Sequence, residues 1–339
     1  MKKLLVLGYF GYGNNKLDGQ TIKTREVYSM LKRQATDAKT IYFDTQSLAA
    51  SKLNILKMLH LLLVAQTVVY LPGRNNLSHF FTVLFSISRL FGKKIVYPVV
   101  GGWLPEFIEE KKSLIKRLSK LEAILVETQS MKRKLEEKYS FGNVLLFPNF
   151  RTSDYTPQFK NNSKFRIVFM ARISRDKGCD RVFNYAQACL DANVTDVEIS
   201  FYGPIEQSYE AEFQSRLQQY GFVSYGGVVE PSKVCDVLGN YDVLVLPTHY
   251  DGEGFPGSVV DAYRAGIPAV VSDWKDLSEV VEHGKSGYLF NLSSPLEFNA
   301  ALDRLRGDNS LLSGMKEYAF ELSKKYSEEN AWGIIKDFL

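Results

Sequence analysis

The sequence predicts two α/β domains, each built on a doubly wound parallel sheet, and three observations carry that prediction. Short β-branched and aromatic runs alternate with longer amphipathic ones, the pattern of parallel strands joined by crossover helices. At 339 residues the chain exceeds the roughly 250 to 300 residues at which a single hydrophobic core stops growing. Midway, "LLFPNFRTSDYTPQFKNNSKFRIVFMA" sets two prolines and a cluster of Asn and Ser between two strand series, as an interdomain linker does. The expected domains are residues 1–150 and 160–326. Two such sheets facing each other would bring both sets of strand C-terminal ends to one central cleft, where open parallel sheets bind ligands.

In the first half the strand candidates are "KLLVLGYF", "KTIYFD", "TVVYL", "KIVYPVV", "AILVE" and "NVLLFP". Between them lie the helical stretches "QTIKTREVYSMLKRQ", "LSHFFTVLFSISRLFG" and "LIKRLSKL". In the second half the strands are "FRIVFMA", "VEISFYG", "FVSYGG", "DVLVLP", "PAVVS" and "SGYLF". Helices are expected to start near Gly178, Glu206, Pro231, Gly257, Leu277, Pro295 and Leu311. No internal repeat at the short periods of solenoids is present.

The net charge of +4 conceals an asymmetry. Residues 1–150 hold 23 Lys and Arg against 11 Asp and Glu, a balance of +12, so the remainder carries 19 against 27, a balance of −8. A basic first half suits an anionic partner: a membrane surface, nucleic acid or a phosphorylated substrate, if it is not simply a solvated face. Nucleic acid is disfavoured, because no recognition helix, RNA-binding strand motif or zinc finger accompanies the charge. Cys179, Cys189 and Cys235 are odd in number and lack a C-x-x-C, so reduced, mostly buried thiols are expected and neither a disulfide framework nor a zinc site. The start "MKKLLVLGYFGYGNN" lacks the h-region length and cleavage site of a signal peptide. "LNILKMLHLLLVA" is interrupted by Lys57 and His60 and is too short to span a bilayer. The expected location is the cytoplasm, with contact at the inner face of a membrane.

Chemistry concentrates at two strand ends. After "DVLVLP" the loop "THYDGEGFPG" runs into the helix "SVVDAYRAG". Gly257 or Ser258 is the natural N-cap, and a helix start offers unpaired amides and a positive dipole end to a phosphate. Glu253 projects just ahead of it, and eight residues on, Asp261 has a carboxylate suited to a vicinal diol. The plainer alternative is an S-x-x-D cap from Ser258 and Asp261, a solvated Glu253, and Gly254 and Gly257 shaping the turn. After "FRIVFMA", Arg172 and Lys177 precede another helix start near Gly178. Two cations there make a clamp for a diphosphate, with Arg175 and Asp176 as surface partners.

Together these segments resemble the retaining glycosyltransferases of the GT-B fold, the large family 4, also called glycosyl transferases group 1. The resemblance is carried by "FMARISRDKG", "FYGP", "YGGVVEPSKVCDVLGNYDVLVLPTHYDGEGFPGSVVDAYRAGIPAVVSD" and "SEVVEHGKSGYLF". Weaker support comes from "GYGNNKLDGQTIKTREVYSML" and "AILVETQSMKRKL". The family's Glu-x7-Glu signature stands here as Glu253-x7-Asp261. The resemblance implies that Glu253 touches the donor sugar and that Asp261 binds the ribose hydroxyls. Arg172 and Lys177 would hold the diphosphate, with amides of Gly257, Ser258 and Val259 assisting and Phe255 in the donor loop. Backbone at Gly226, Gly227 and Val228, and near Gly203 and Pro204, would flank the base, while Gly19 approaches the diphosphate from the first domain. It further implies that the terminal stretch "SEENAWGIIKDFL", about 327–339, crosses back onto the first domain.

Two departures bear on the sugar. The stretch "KIVYPVVGGWLPEF" has no histidine where many members carry one, leaving Gly101 and Gly102 with amides that reach the sugar. Pro256 replaces a common glycine and removes one N–H. His60 and His79 read as packing residues, His283 as a helix-end charge, and His249 stands in the Glu253 loop.

The chemistry needs no metal, because two cations and helix amides stabilise the departing diphosphate. No D-x-D motif is present, "DGE" being the nearest. The resemblance implies hexosyl transfer with retention from a nucleotide-diphosphate sugar, UDP- or GDP-linked, without a further cofactor. The acceptor would be a saccharide or lipid-linked saccharide, in surface polysaccharide or glycolipid synthesis. "KKSLIKRLSK", "MKRKLEEK" and the aromatic "LSHFFTVLFSISRLFGKK" suit an anionic lipid surface, unless the first two are solvated and the third is core. The rivals are a GT-B nucleotide-sugar epimerase and a non-catalytic homologue stabilising a partner transferase. A nicotinamide dehydrogenase is poorer, since "GYFGYGNNK" does not complete G-x-G-x-x-G.

Overall fold

The computed structural model describes residues 1–13, 18–51, 53–152, 154–160 and 162–339. The chain forms two compact units: Met1–Thr152 together with Ser327–Leu339, and Ser153–Tyr326.

The first unit holds β1 (Lys2–Gly8), β2 (Ala38–Asp44), β3 (Thr67–Leu71), β4 (Lys94–Pro98), β5 (Ala123–Val126) and β6 (Val144–Leu146). Their order is β2-β1-β3-β4-β5-β6 and every pairing is parallel. Side chains alternate between faces along each strand. Leu5, Leu7, Val68 and Tyr70 join the core on one face, while Leu4, Val6, Val69 and Leu71 join the core on the other. Helices cover both faces, which is why the inner strands β1, β3, β4 and β5 read as nearly unbroken apolar runs. The helix Glu328–Ile335 buries Ala331 and Ile335 in the second of these cores, so the chain's last residues complete the first unit.

The stretch expected as one helix from Leu77 is two, Arg74–His79 and Phe81–Leu90. Tyr70 explains the break: its ring lies parallel to Phe81 at 6.3 Å and edge-on to Phe80 at 6.4 Å. Successive residues of one continuous helix do not face the same neighbour. His60 and His79, expected as packing residues, are exposed.

The second unit holds β7 (Phe165–Met170), β8 (Val197–Tyr202), β9 (Val223–Tyr225), β10 (Val243–Leu246), β11 (Ala269–Ser272) and β12 (Gly287–Phe290). The order β12-β11-β10-β7-β8-β9 is parallel throughout. Strand order reverses between β7 and β10, so the loops after these two strands diverge to opposite faces and leave a crevice at their carboxyl ends. Helices start at Cys179, Gly257 and Pro295, at or one residue from their expected starts. The start expected near Glu206 comes at Glu210, because Tyr209 first closes a turn onto the Glu206 carbonyl at 2.9 Å. Pro231 opens a 3-10 turn that continues into the helix Val234–Leu238, whereas Leu277 opens a 3-10 turn alone. Asp308 accepts the Leu311 amide at 2.9 Å and moves that helix start to Asn309. The linker is shorter than its composition suggests. The Tyr155 hydroxyl lies against Gly239, and Asn162 Nδ2 donates to Asp242 Oδ1 at 3.1 Å, so these residues pack on the second unit.

Among the described residues no helix is long and apolar enough to cross a membrane.

Candidate active site

The crevice between β7 and β10 carries the charged residues singled out above. Lys177, in the loop after β7, places Nζ 2.6 Å from Oε2 of Glu253, in the loop after β10. Both side chains are nearly buried, at 13% and 8% exposure. Thr248 Oγ1 adds a hydrogen bond to the same carboxylate oxygen at 2.9 Å. Glu253 is therefore neither solvated nor a surface charge. An isolated buried carboxylate is prohibitively costly, and the ammonium and hydroxyl make this one tenable.

The Tyr250 ring gathers the cations. Lys177 Nζ stands 4.7 Å and Arg172 Cζ 5.2 Å from its centroid. Arg172 is half exposed and its nearest anion among the described residues is Asp176 at 3.9 Å, so much of its charge faces solvent. Asp176 also ties the two loops together, because its carbonyl accepts the His249 amide at 2.8 Å. Trp274 Nε1 donates to the Tyr250 carbonyl at 2.9 Å and fixes the far side of the loop. Arg175 is a surface partner as expected, pairing with Asp180 and Glu212.

Two helix starts flank this cluster. Cys179–Asp191 begins behind Gly178 and Gly257–Arg264 begins behind Pro256, and neither has a side-chain cap. At the second, the Val259 amide donates to the Pro256 carbonyl at 3.2 Å. Gly257 and Ser258 keep their amides at the open end. Gly178 is fixed by geometry: at φ +83 a Cβ would stand 2.0 Å from the Pro247 carbonyl oxygen, so the two loops approach as closely as backbone allows.

The remaining expected contacts divide. Asp261 sits half-buried in the first turns of Gly257–Arg264. The Phe255 ring is buried edge-on against Tyr326 at 5.2 Å. The amides of Gly203 and Gly226 are engaged with the carbonyls of Gly227 and Phe201, both at 2.9 Å. The backbone expected to flank a base therefore offers carbonyls rather than these two N–H groups, and Val228 is exposed on that turn. His249 is exposed beside the loop. Cys179 begins a helix, yet burial pushes its thiol up to about 12, so it is a packing group. Two surface hollows of the same unit contain none of these residues: one of about 230 Å³ beside Met315 and one of about 320 Å³ beside Val194.

In the first unit, Gly19 opens the helix Gly19–Gln34, whose start is capped by Asp18 through the Thr21 amide at 2.9 Å. The motif around it includes residues 14–17, which lie outside the described residues. The Gly101 amide, expected at the sugar, donates instead to Glu127 Oε2 at 3.1 Å. Gly102 is half-buried next to it.

Sequence reasoning missed Thr248, Tyr250 and Glu127. Thr248 and Tyr250 stand in the quoted loop, but nothing in their spacing marks a residue that supports Glu253 and Lys177 rather than the turn.

Residues 151–322 match the family model of glycosyl transferases group 1. The chain belongs to that family. Among curated relatives, an exopolysaccharide phosphotransferase of Streptomyces coelicolor is 27% identical over 221 residues, covering 64% of this chain. The match spans only 23% of that relative's length. An alpha-galactosylglucosyldiacylglycerol synthase of Streptococcus pneumoniae is 22% identical over 330 residues, covering 86% of this chain and 85% of the relative. Among solved structures, the Anabaena protein Alr3699/HepE in complex with UDP and glucose has a TM-score of 0.77 at 14% identity, covering 99% of both chains. That likeness shows the GT-B fold, with its two Rossmann-like domains.

Proposed function

We propose that this member of the family is a retaining, metal-independent hexosyltransferase. It moves a sugar from a UDP- or GDP-linked donor to a saccharide or lipid-linked saccharide, in surface polysaccharide or glycolipid synthesis. The observation that carries this reading is the Lys177–Glu253 pair at the strand-order reversal, with Arg172 over the same Tyr250 ring and two uncapped helix starts beside it. Cations and amides converging at such a crevice suit a diphosphate. The names of the relatives, one acting on exopolysaccharide and one making a glycolipid, support the acceptor class. The complexes of the Anabaena protein with UDP and with UDP-glucose support the donor class.

In the reaction, the bond between the anomeric carbon and the diphosphate oxygen breaks and its electron pair stays on the phosphate. Arg172, Lys177 and the amides of Gly257 and Ser258 stabilise that charge as it grows. Glu253 faces the cationic sugar. The departing phosphate takes the proton of the acceptor hydroxyl, whose oxygen bonds to the anomeric carbon on the face just vacated, so configuration is retained.

Contact with lipid belongs to the same proposal, with its surface revised. Lys132, Lys134 and Lys138 of "MKRKLEEK" pair with Glu136, Glu106 and Glu109, which offsets the charge expected there. Exposed leucines stand instead on Leu53–Val64 and at the end of Phe81–Leu90, where Leu53, Leu56 and Leu90 are 74%, 65% and 77% exposed. These exposed leucines are the residues proposed to insert into lipid.

The test is a thermal-shift screen of UDP- and GDP-linked hexoses, followed by transfer assays of the best donor with and without membrane extract. Stabilisation by a nucleotide sugar and extract-dependent transfer with retained anomeric configuration is the expected result. Stabilisation without any transfer, or transfer with inversion, removes the reading.

A further inference from the structure

Tyr250, in the loop after β10, presents one neutral ring to two cations. Lys177 Nζ lies 4.7 Å and Arg172 Cζ 5.2 Å from its centroid, both within reach of a cation–π attraction. Both cations stand in the loop after β7, so the ring joins the two loops at the strand-order reversal. Arg172 and Lys177 carry like charges, and the negative face of a neutral ring attracts both. A carboxylate in its place would add a third negative charge to those of Asp176 and Glu253 and would compete with an anionic ligand for the same cations.

The ring is held in place from its own backbone. The Tyr250 amide donates to Thr248 Oγ1 at 3.1 Å, and the Tyr250 carbonyl accepts Trp274 Nε1 at 2.9 Å and the Glu253 amide at 3.1 Å. Thr248 is itself buried, and its carbonyl accepts the hydroxyl of Ser272, the last residue of β11, at 2.5 Å. The loop is therefore anchored to the neighbouring strand rather than to the cations. Gly252 gives the ring its room: a Cβ there would stand 2.6 Å from the Tyr250 hydroxyl and 2.7 Å from two ring carbons. The Tyr250 hydroxyl has no hydrogen bond among the described residues, so what the site draws from this side chain is the face of its ring.

We propose that Tyr250 is a positioning residue whose ring face sets Arg172 and Lys177 for the diphosphate of the donor. This rests on the function proposed above, which puts a diphosphate on those two cations. The ring draws both cations to one spot and adds no negative charge of its own. Affinity for the diphosphate rises with it, and so does the stabilisation of the leaving group as its charge grows.

The experiment varies the electrostatics of the ring at constant shape. Tyr250→Phe and its mono-, di- and trifluorinated analogues weaken the negative face stepwise, Tyr250→Leu removes it, and Gly252→Ala pushes the ring aside. The readouts are the Kd of UDP and of GDP, kcat for release of free sugar from the best-binding UDP- or GDP-hexose, and urea unfolding. Tyr250→Phe is expected to bind the preferred nucleoside diphosphate within about threefold of wild type, and Kd to rise with each fluorine and reach about tenfold at Tyr250→Leu. Along the fluorinated series kcat is expected to fall in parallel while the unfolding midpoint stays level, which a merely structural side chain would not produce. Gly252→Ala is expected to raise Kd in the wild type and to add nothing in the Tyr250→Leu background. A Kd indifferent to fluorination, or full additivity of Gly252→Ala and Tyr250→Leu, overturns the proposal while leaving the donor site standing. If Tyr250→Leu does not fold, the fluorinated series decides alone. Failure of the wild type to bind UDP, GDP or any nucleotide sugar removes the function and this inference together.

Discussion

Lys177 Nζ lies 2.6 Å from Glu253 Oε2, so the cation proposed for the diphosphate already neutralises the carboxylate proposed for the sugar. Removing either partner therefore tests stability and turnover at once. Lys177→Ala leaves Glu253 buried with only Thr248 for company, and a loss of about 3 kcal/mol in urea unfolding is expected. Glu253→Gln keeps the Thr248 hydrogen bond and is expected to cost less stability, about 1 kcal/mol. Both are expected to lower kcat by at least about 10²-fold. A Lys177→Met, Glu253→Gln double that regains stability without regaining kcat separates the two roles; wild-type kcat in either single variant removes the site.

Asp261 is proposed to hold the ribose, far from the bond that breaks. Asp261→Asn is accordingly expected to raise the donor KM about tenfold or more, the loss of a charged hydrogen bond, with little change in kcat. A 2′-deoxy donor should already be weakened on the wild type and lose nothing further on the variant. Full additivity of the two changes would show that Asp261 touches something else.

Much of this was legible in the sequence, and the reason is local. The inner strands announce themselves because a strand buried on both faces must be apolar throughout, as "TVVYL" and "DVLVLP" are, while half-buried β2 and β8 show through β-branched and aromatic residues instead. Glu253, Lys177 and Arg172 were legible because a charge at the end of such a run has a loop to sit in and a crevice to face. The buried Lys23–Glu127 ion pair of the first unit was not. Each looks like an ordinary polar residue of its own segment, and only tertiary packing brings the helix Gly19–Gln34 against the end of β5. Backbone engagement was equally invisible: nothing in "FYGP" or "YGGV" tells that the Gly203 and Gly226 amides are spent on the chain itself. The break at Phe80 depends on Tyr70, a contact between two elements that periodicity within one element does not encode.

The approach of Gly178 to Pro247 gives a steric prediction. Gly178→Ala puts a Cβ into the Pro247 carbonyl at a positive φ, and a loss of at least about 2 kcal/mol is expected. The loop carrying Thr248 and Glu253 starts at that residue, so turnover should fall with stability. Gly221→Ala, where a Cβ meets nothing within 4 Å, is the control and should stay within about 0.5 kcal/mol. A Gly178→Ala variant as stable and active as wild type would contradict the packing of the two loops.

The terminal segment of the first unit is held by Glu328, whose carboxylate accepts from Arg33, Gln34 and Thr152. Burial alone would raise its pKa, but the hydrogen bonds from Arg33, Thr152 and Gln34 outweigh burial and hold it down at about 2, against an ordinary 4.5. Below pH 4.5 the unfolded chain takes up a proton at this site that the folded chain refuses. Unfolding is then favoured, so the clamp's contribution is complete above that pH and is lost as pH falls toward 2. Glu328→Gln is expected to cost about 1–3 kcal/mol in urea unfolding at pH 7, the range for hydrogen bonds to a charged group. The gap between wild type and variant should narrow as pH drops below 4.5, because the wild type alone carries this acid-sensitive term. A gap that stays constant from pH 7 to 3 would mean that packing of Ala331 and Ile335, rather than the charge on Glu328, holds the segment in place.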